Sequence, residues 1–577
     1  MKGKLVLLFL LSFSTWAQDA LRKERALRFG MQQDSIYRGA QALAKKRGIP
    51  LQVDLGKNKT LQFQGFSEIG EALYLRTESN TQAAKMTKTN LLYPGASLNL
   101  GLTGKSDSIK GKLGMWDGGG VLASHQEFGG RATAAQTITS TNDHATHVAG
   151  TLVAGGISPS AKGMAYEADL KFWDYSNDNS EMSTASTSLL ISNHSYGYQA
   201  GWVYDETKKK WQWWGNDAVS TEEDYKFGLY DSNTQTWDRI AYNAPNYLIV
   251  KSAGNSRNQN GPAAGDYYLL RSTSDSSNKA RAKNDGFDII STSGTAKNIL
   301  TVGAATLSSL IPTKGSEVSI SSFTSWGPTD DGRVKPDVMA VGTSLFSTTN
   351  TSDKSYATQS GTSMSSPQAA GSLYLIQQLY NRLNRNTFML ASTLKAVAIH
   401  TAMDMEAAGP DYKTGYGLIQ LDRAAALVKN EGNLHLLKEE KLTQAETKTY
   451  TFTSSGNGPL KATIAWTDPE ATTSSALNDR TPRLVNDLDI RLTSGSSTFL
   501  PFTLNPAAPD ALAVPGDNIR DNVEQIVINN TMPGQTFTLT VSHKGVLKNS
   551  SQDYGVAVSG IGGPAYCALA TTTTTSN

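Results

Sequence analysis

Ser363, His144 and Asp117 are the residues of this 577-residue chain whose types and settings could do chemistry together. A hydroxyl at neutral pH is a poor nucleophile; it needs a base to take its proton and a third group to hold that base. Each candidate sits at a glycine-bearing junction: Leu113-Gly114-Met115-Trp116 leads into Asp117-Gly118-Gly119, His144 lies at the start of the helical run Ala145 to Val153, and Ser363 lies in Ser360-Gly361-Thr362-Ser363-Met364-Ser365-Ser366-Pro367. Pro367 suits the first turn of a helix, so Ser363 would stand at a helix start, where the positive dipole end favours a developing oxyanion. A fourth group is Asn255, in Ser252-Ala253-Gly254-Asn255, whose amide could donate to that oxyanion beside the backbone N–H of Ser363. Taken singly, these residues read as a helix cap, a helix-start histidine and a turn former. Together they read as a nucleophile, base and orienting acid for acyl transfer, which needs no cofactor.

The elements that must position these groups follow from periodicity. From about 110 to 430, strand-like runs (Leu170 to Trp173, Leu189 to Ile191, Tyr247 to Val250, Ile299 to Val302) alternate with helical ones (Thr146 to Val153, Ala369 to Leu383, Thr393 to Thr401). That alternation predicts an α/β domain with a mostly parallel sheet and flanking helices. In such sheets functional groups gather at the carboxyl ends of strands and at helix starts, where all the candidates lie. From 431 to 562 the helical period vanishes and short alternating strands remain (Thr449 to Thr453, Lys461 to Trp466, Asp487 to Leu492, Val523 to Ile528, Phe537 to Val541), which predicts an all-β sandwich or jelly roll. Asp487 and Asp489 share a strand face and Asp468 follows another strand; they are a candidate Ca²⁺ site, set against the commoner reading of solvated loop carboxylates.

The ends carry other signals. Residues 1–17 combine a basic start, the apolar run Leu5 to Phe13 and Ala17 at the expected cut, the pattern of a secretory signal peptide. Residues 18–85 are polar and charge-mixed, with a hairpin pattern from Leu51 to Phe66. Residues 563–577 hold the lone Cys567 and the run Thr571 to Thr575, which resembles a linker leading to a further module. Lys plus Arg is 53 against 51 Asp plus Glu, a balance that argues against nucleic acid as the partner. The single cysteine excludes an internal disulfide framework, and no apolar run after the first twenty residues is long enough to span a bilayer. Of the remaining histidines, His147 is expected to shape the helix behind the site, and His125, His194, His400, His435 and His543 to be structural. Trp202, Trp211, Trp213 and Trp214 read as a hairpin with cross-strand packing, in preference to a wall of a substrate cleft.

His-Ala-Thr-His-Val-Ala-Gly-Thr (144–151) and Gly-Thr-Ser-Met-Ser-Ser-Pro (361–367) resemble the signature blocks of the subtilisin-like serine peptidases, the subtilases. Ala253-Gly254-Asn255 resembles their oxyanion block, and Ser195-Tyr196-Gly197 their substrate-pairing segment; the order Asp, His, Ser is also theirs. The likeness spans about 110–430, and Ala465 to Pro469 with Val485 to Asp489 resembles the β-domain of KP-43-type alkaline subtilases. The resemblance implies a secreted, monomeric serine endopeptidase of proteins and peptides. Asp117, His144 and Ser363 would be catalytic with Asn255, and Ser195, Tyr196, Gly197, Ser252, Ala253 and Gly254 would bind substrate. It also implies that 18–85 is a prosegment, a transient inhibitor, ahead of a catalytic domain over 86–430. There are departures: the usual Gly after the catalytic His is Ala145, the Asp block continues with Gly118-Gly119 in place of a hydroxyl residue and Gly, and the Asn-rich calcium loop after the His helix is missing, so no calcium is expected there. The alternative reading is a secreted binding protein on an inactive subtilase scaffold. An α/β-hydrolase esterase is excluded, because position 365 is Ser where its motif needs Gly and its chain order differs.

Overall fold

The computed structural model describes residues 42–48, 52–54, 60–66, 72–76, 80–205, 208–270, 275–430 and 433–562. The expected signal peptide and the Thr-rich tail lie outside the described residues. The principal elements, in chain order, are β1 (Leu113–Asp117), β2 (Ala132–Ala134), α1 (Asp143–Val153), β3 (Leu170–Asp174), β4 (Ile191–His194), α2 (Ser232–Asn243), β5 (Leu248–Ser252), β6 (Leu300–Ala305), β7 (Val338–Val341), α3 (Thr362–Leu383), α4 (Ala391–Thr401) and α5 (Leu421–Lys429).

The seven strands form one sheet in the order β7-β6-β5-β4-β1-β3-β2, and every neighbouring pair is parallel. Strands β1, β5, β6 and β7 are buried along their whole length, as a sheet covered on both faces requires. Helix α3 is buried at nearly every position, with Leu373, Leu375, Ile376 and Leu379 in the same core as Leu113, Leu248, Leu300 and Val338 of the sheet. It is a central helix buried on all sides, with polar side chains such as Gln368, Gln377 and Gln378 hydrogen-bonded within the fold, so its first turn is held rigidly at the sheet's carboxyl edge.

Beyond α5 two antiparallel four-stranded sheets face each other. One runs His435–Thr443, Ser551–Ser559, Leu460–Trp466, Val523–Ile528; the other Lys448–Thr453, Thr536–Lys544, Asp487–Ser494, Ser497–Phe499. Leu460, Ile464, Val556 and Tyr554 from the first pack against Leu488, Ile490, Leu539 and Val541 from the second, which makes the sandwich that the alternating pattern predicts.

At the other end, Gln52–Asp54, Thr60–Phe66 and Ala72–Arg76 pair as a three-stranded antiparallel sheet; the third strand is one the hairpin pattern does not announce. The helix Asn80–Met86 follows, and it alters the expected boundary at 85. Ala83 and Met86 lie in the core of the α/β domain, and Asn80 and Thr81 donate to the carbonyls of Ala161 and Pro159 (3.3 and 2.5 Å). A division at 85 would cut through a helix already packed on the catalytic domain. Among the described residues no helix is long and apolar enough to cross a membrane.

Candidate active site

Parallel pairing of β1, β4 and β5 delivers three strand ends to one edge of the sheet, and the starts of α1 and α3 arrive at the same edge. Asp117 is the last residue of β1 and is 2 % exposed. Its Oδ1 accepts from the Gly118 N–H and lies 2.7 Å from His144 Nδ1. His144 is the second residue of α1, whose N-terminus is capped by Asn142 Oδ1 accepting from the His144 and Ala145 N–H groups (2.8 and 3.2 Å). Burial works against a charged ring here, but the Asp117 carboxylate outweighs it through charge and hydrogen bond, and the imidazole is raised above its ordinary 6.5.

Ser363 is the second residue of α3 and is 8 % exposed. Its Oγ donates to the Ser195 carbonyl (3.1 Å), and Ser195 Oγ donates back to the Ser363 carbonyl (3.0 Å). The hydroxyl is thus turned toward backbone, and a change in one side-chain rotamer releases it. Asn255 Oδ1 accepts from both the N–H and the hydroxyl of Thr362 (2.8 and 3.0 Å), so its Nδ2 donors are left facing the first turn of α3; a Cβ placed on Gly361 would meet Nδ2 at 3.3 Å. The Asn255 amide and the N–H of Ser363 are therefore adjacent donors at one helix end, the arrangement that stabilises an oxyanion.

The two segments expected to bind substrate flank this centre. Ser195-Tyr196-Gly197 leaves β4 and becomes exposed at Gly197. Ser252-Ala253-Gly254 leaves β5 with its backbone turned inward: Ala253 N–H to Val302 O (3.0 Å), Gly254 N–H to Thr362 Oγ1 (3.1 Å) and Ser325 N–H to Gly254 O (3.0 Å). What that segment offers a ligand is therefore the surface of Gly254, whose φ of 110° suits glycine, more than hydrogen bonds.

A model of the subtilase family matches residues 123–417, just over half of the chain. The chain belongs to the subtilase family. It is 23 % identical over 475 residues to "Serine protease/ABC transporter B family protein tagD" of Dictyostelium discoideum, covering 62 % of this chain and 25 % of that protein. It is 39 % identical over 94 residues to the PIII-type proteinase of Lactococcus lactis subsp. cremoris (strain SK11), 16 % of this chain and 5 % of that one. It is 44 % identical over 71 residues to the C5a peptidase of Streptococcus pyogenes, 12 % and 6 % respectively. The chain spans a quarter or less of the length of these curated relatives.

As a subtilase it departs from the family pattern in ways the structure accounts for. Ala145 is buried in helical backbone within α1, where a methyl group is no strain. Gly118 leaves room for Tyr175: a Cβ there would meet Tyr175 Cε1 at 2.9 Å. With no hydroxyl at 118, Asp117 Oδ2 is buried without a hydrogen-bond partner. Helix α1 ends at Val153, and the turn that follows is held by Glu127, whose carboxylate accepts from the N–H groups of Gly156, Ile157 and Ser158 (2.6, 3.0 and 2.6 Å). His147 is held neutral by burial, down to about 3, with Nε2 at the Leu345 and Ala357 carbonyls behind the site. The tryptophan hairpin pairs Trp202 with Trp213 and Tyr204 with Trp211, and Trp202 and Trp213 are buried against Tyr268, as cross-strand packing.

The candidate calcium carboxylates are engaged by side-chain cations. Asp487 and Asp489 face Lys544 Nζ (3.2 and 3.1 Å), while Asp468 lies at the junction of the two domains on Lys297. No group of three or more His, Cys, Asp or Glu among the described residues is arranged to hold a metal.

Proposed function

We propose that the protein is a secreted serine endopeptidase of the subtilisin type that acts on proteins and peptides as a monomer. The observation that supports this reading is the 2.7 Å contact of Asp117 Oδ1 with His144 Nδ1, with Ser363 in the first turn of a buried helix. Ser363 Oγ attacks the scissile carbonyl; His144 takes its proton and returns it to the leaving amine; Asp117 holds the ring and stabilises its cation. The Asn255 amide and the Ser363 N–H hold the tetrahedral oxyanion. Ser195 to Gly197 pairs with the extended substrate as an added strand. The chemistry needs no cofactor. Residues 1–17 direct export, the chain between them and Asn80 acts as the inhibitory prosegment, and the C-terminal sandwich is a β-domain of the KP-43 kind.

Fluorophosphonate labelling and casein cleavage by the purified protein, beside Ser363→Ala, test the reading. Both signals are expected in the wild type, and loss of the serine should lower kcat on the order of a millionfold. An unlabelled and inactive wild type, with its prosegment shown to be removed, would overturn it in favour of a binding protein on an inactive scaffold.

A further inference from the structure

One buried charge at this edge of the sheet has no part in the chemistry above. Lys251 is the fourth residue of β5, in the run Leu248-Ile249-Val250-Lys251-Ser252, and is 3 % exposed. Strands β4 and β5 are parallel neighbours with Lys251 in register with His194, so the segments Ser195–Gly197 and Ser252–Gly254 leave the sheet side by side. The Lys251 side chain reaches across between them. Its Nζ donates to the Tyr196 carbonyl, to the Ser252 carbonyl (3.0 Å) and, at a long 3.3 Å, to Ser252 Oγ. Among the described residues no carboxylate forms an ion pair with it. Asp178, the acidic group that acts on it, is held by the Tyr196 hydroxyl (2.8 Å), and the His194 ring nearby is kept neutral by burial and by the lysine itself. A buried ammonium with only neutral partners is costly, and burial draws it down to about 7.

The position of this charge gives it a use. Both segments start at the nucleophile: Ser195 exchanges hydrogen bonds with Ser363, and Gly254 and Asn255 are tied to Thr362. Two residues further along the first segment is the exposed Gly197, where a Cβ would stand 3.7 Å from Lys251 Nζ and 3.6 Å from Ser291 Oγ. Two extended residues span at most about 7 Å. The ammonium therefore bridges the two segments beside the exposed Gly197 position, within the reach of one long side chain of a residue whose carbonyl lies at Ser363.

We propose that Lys251 is a specificity residue and that the space beside it takes the acidic side chain, glutamate ahead of aspartate, of the residue on the acyl side of the cleaved bond. The inference rests on the peptidase reading above. The incoming carboxylate accepts the hydrogen bond now given to the distant Ser252 hydroxyl and supplies a directly paired countercharge, which Asp178, bonded to the Tyr196 hydroxyl, does not. Ser291 Oγ stands beside the same Gly197 position and donates to the same carboxylate.

Peptide anilides that differ only in that residue, Glu, Asp, Leu or Phe, test this, with fluorophosphonate labelling run on every preparation. The wild type should favour Glu over Leu in kcat/KM. Lys251→Met should lower the Glu-to-Leu ratio by about ten- to a hundredfold, the scale of one hydrogen-bonded charge. Ser291→Asp places a carboxylate beside an intact Lys251 and should lower the same ratio; it carries the test alone if Lys251→Met does not fold. A labelled wild type that favours Leu or Phe overturns the proposal and leaves the peptidase reading standing. So does a variant pair that slows all four substrates equally, which would make Lys251 a positioning residue for the two segments. An unlabelled wild type overturns both.

Discussion

The proton economy of the site hangs on one carboxylate oxygen. Asp117 Oδ1 serves both the Gly118 N–H and His144 Nδ1, while Oδ2 is buried with no donor, because the position that could carry a hydroxyl is a glycine kept small by Tyr175. The His144 cation therefore depends on the charge of Asp117 more than on a network around it. The base must be neutral to accept the Ser363 proton, and Asp117 favours its protonated form. Activity is therefore lost on acidification, and kcat/KM should rise with pH through a midpoint above 6.5. The sign for stability is opposite: a histidine raised on folding contributes fully below 6.5, and that contribution is lost as pH rises through the folded value. Asp117→Asn should remove the orienting charge and lower kcat by about 10⁴-fold, the cost of that change in serine-peptidase triads generally. A pH profile flat across the neutral range, or an Asp117→Asn enzyme of near-normal kcat, would refute this account. Asp117, His144 and Ser363 stand out in the sequence because the roles proposed for them demand particular residue types in a particular order, and the structure adds the contact between the first two. Lys251 does not stand out as a candidate, although a lysine inside an otherwise apolar strand is a visible irregularity; only the side-by-side exit of β4 and β5 gives its charge a neighbourhood.

At the scale of elements, catalysis depends on how the end of β5 is fastened to the start of α3. Thr362 does this with three hydrogen bonds: its N–H and hydroxyl donate to Asn255 Oδ1, and the same hydroxyl oxygen accepts from the Gly254 N–H. The amide of Asn255 is thereby fixed with its donors outward before any substrate arrives. Asn255→Ala should lower kcat by about 10²–10³-fold. Thr362→Val removes the hydroxyl's bonds to both Asn255 and Gly254 but keeps the Asn255 amide; the loss of the bond that holds the amide should lower kcat by up to about tenfold, the worth of one neutral hydrogen bond. Because Thr362 acts through Asn255, the double variant should be no slower than Asn255→Ala alone; additive losses in kcat would show that Thr362 works by another route. Periodicity placed these elements to within a few residues: the runs Thr393 to Thr401 and Val523 to Ile528 fall within or on observed elements, and α3 begins seven residues before its apolar run at Ala369. Strand β4 is also displaced, expected at Leu189 to Ile191 and found at Ile191–His194. Asn193 and His194 look like strand breakers in sequence, but side-chain partners satisfy them: Ser366 Oγ donates to Asn193 Oδ1 across the fold (2.7 Å), and the His194 ring bonds its chain neighbours Ser192 and Tyr196. The partner of Asn193 is invisible to a local pattern.

The composition shift near 431 marks a change of topology and a second apolar core inside the sandwich, but the whole molecule shows that the sandwich is also joined to the core of the α/β domain. Ala465, Val523 and Ala557 of the sandwich belong to the same buried cluster as α4 and the central sheet. A Cβ on Gly555 would meet Thr393 Cα of α4 at 2.6 Å, so the two domains touch backbone to backbone. Across the junction, His400 is hydrogen-bonded to Thr463 and Ser559 (both 2.9 Å), and Lys297 binds the Asp468 carboxylate and the carbonyls of Pro469 and Arg483 (2.6 and 2.9 Å). Lys297 and Asp468 are both fully buried, so each is stable as an ion only while the other is present. Lys297→Met should therefore cost about 3–5 kcal/mol by leaving Asp468 unpaired, while Lys297→Met with Asp468→Leu should recover much of the loss, because removing both charges also removes their desolvation. With two cores joined by so tight a buried interface, the α/β and sandwich regions should melt together, and the single variant should move that one transition down as a whole. Calorimetry of the mature protein and the two variants separates the possibilities. Two transitions, with only the upper or the lower one displaced, would mean that the sandwich is an independent module resting on the peptidase domain, and that the Lys297–Asp468 pair stabilises the contact without joining the folds.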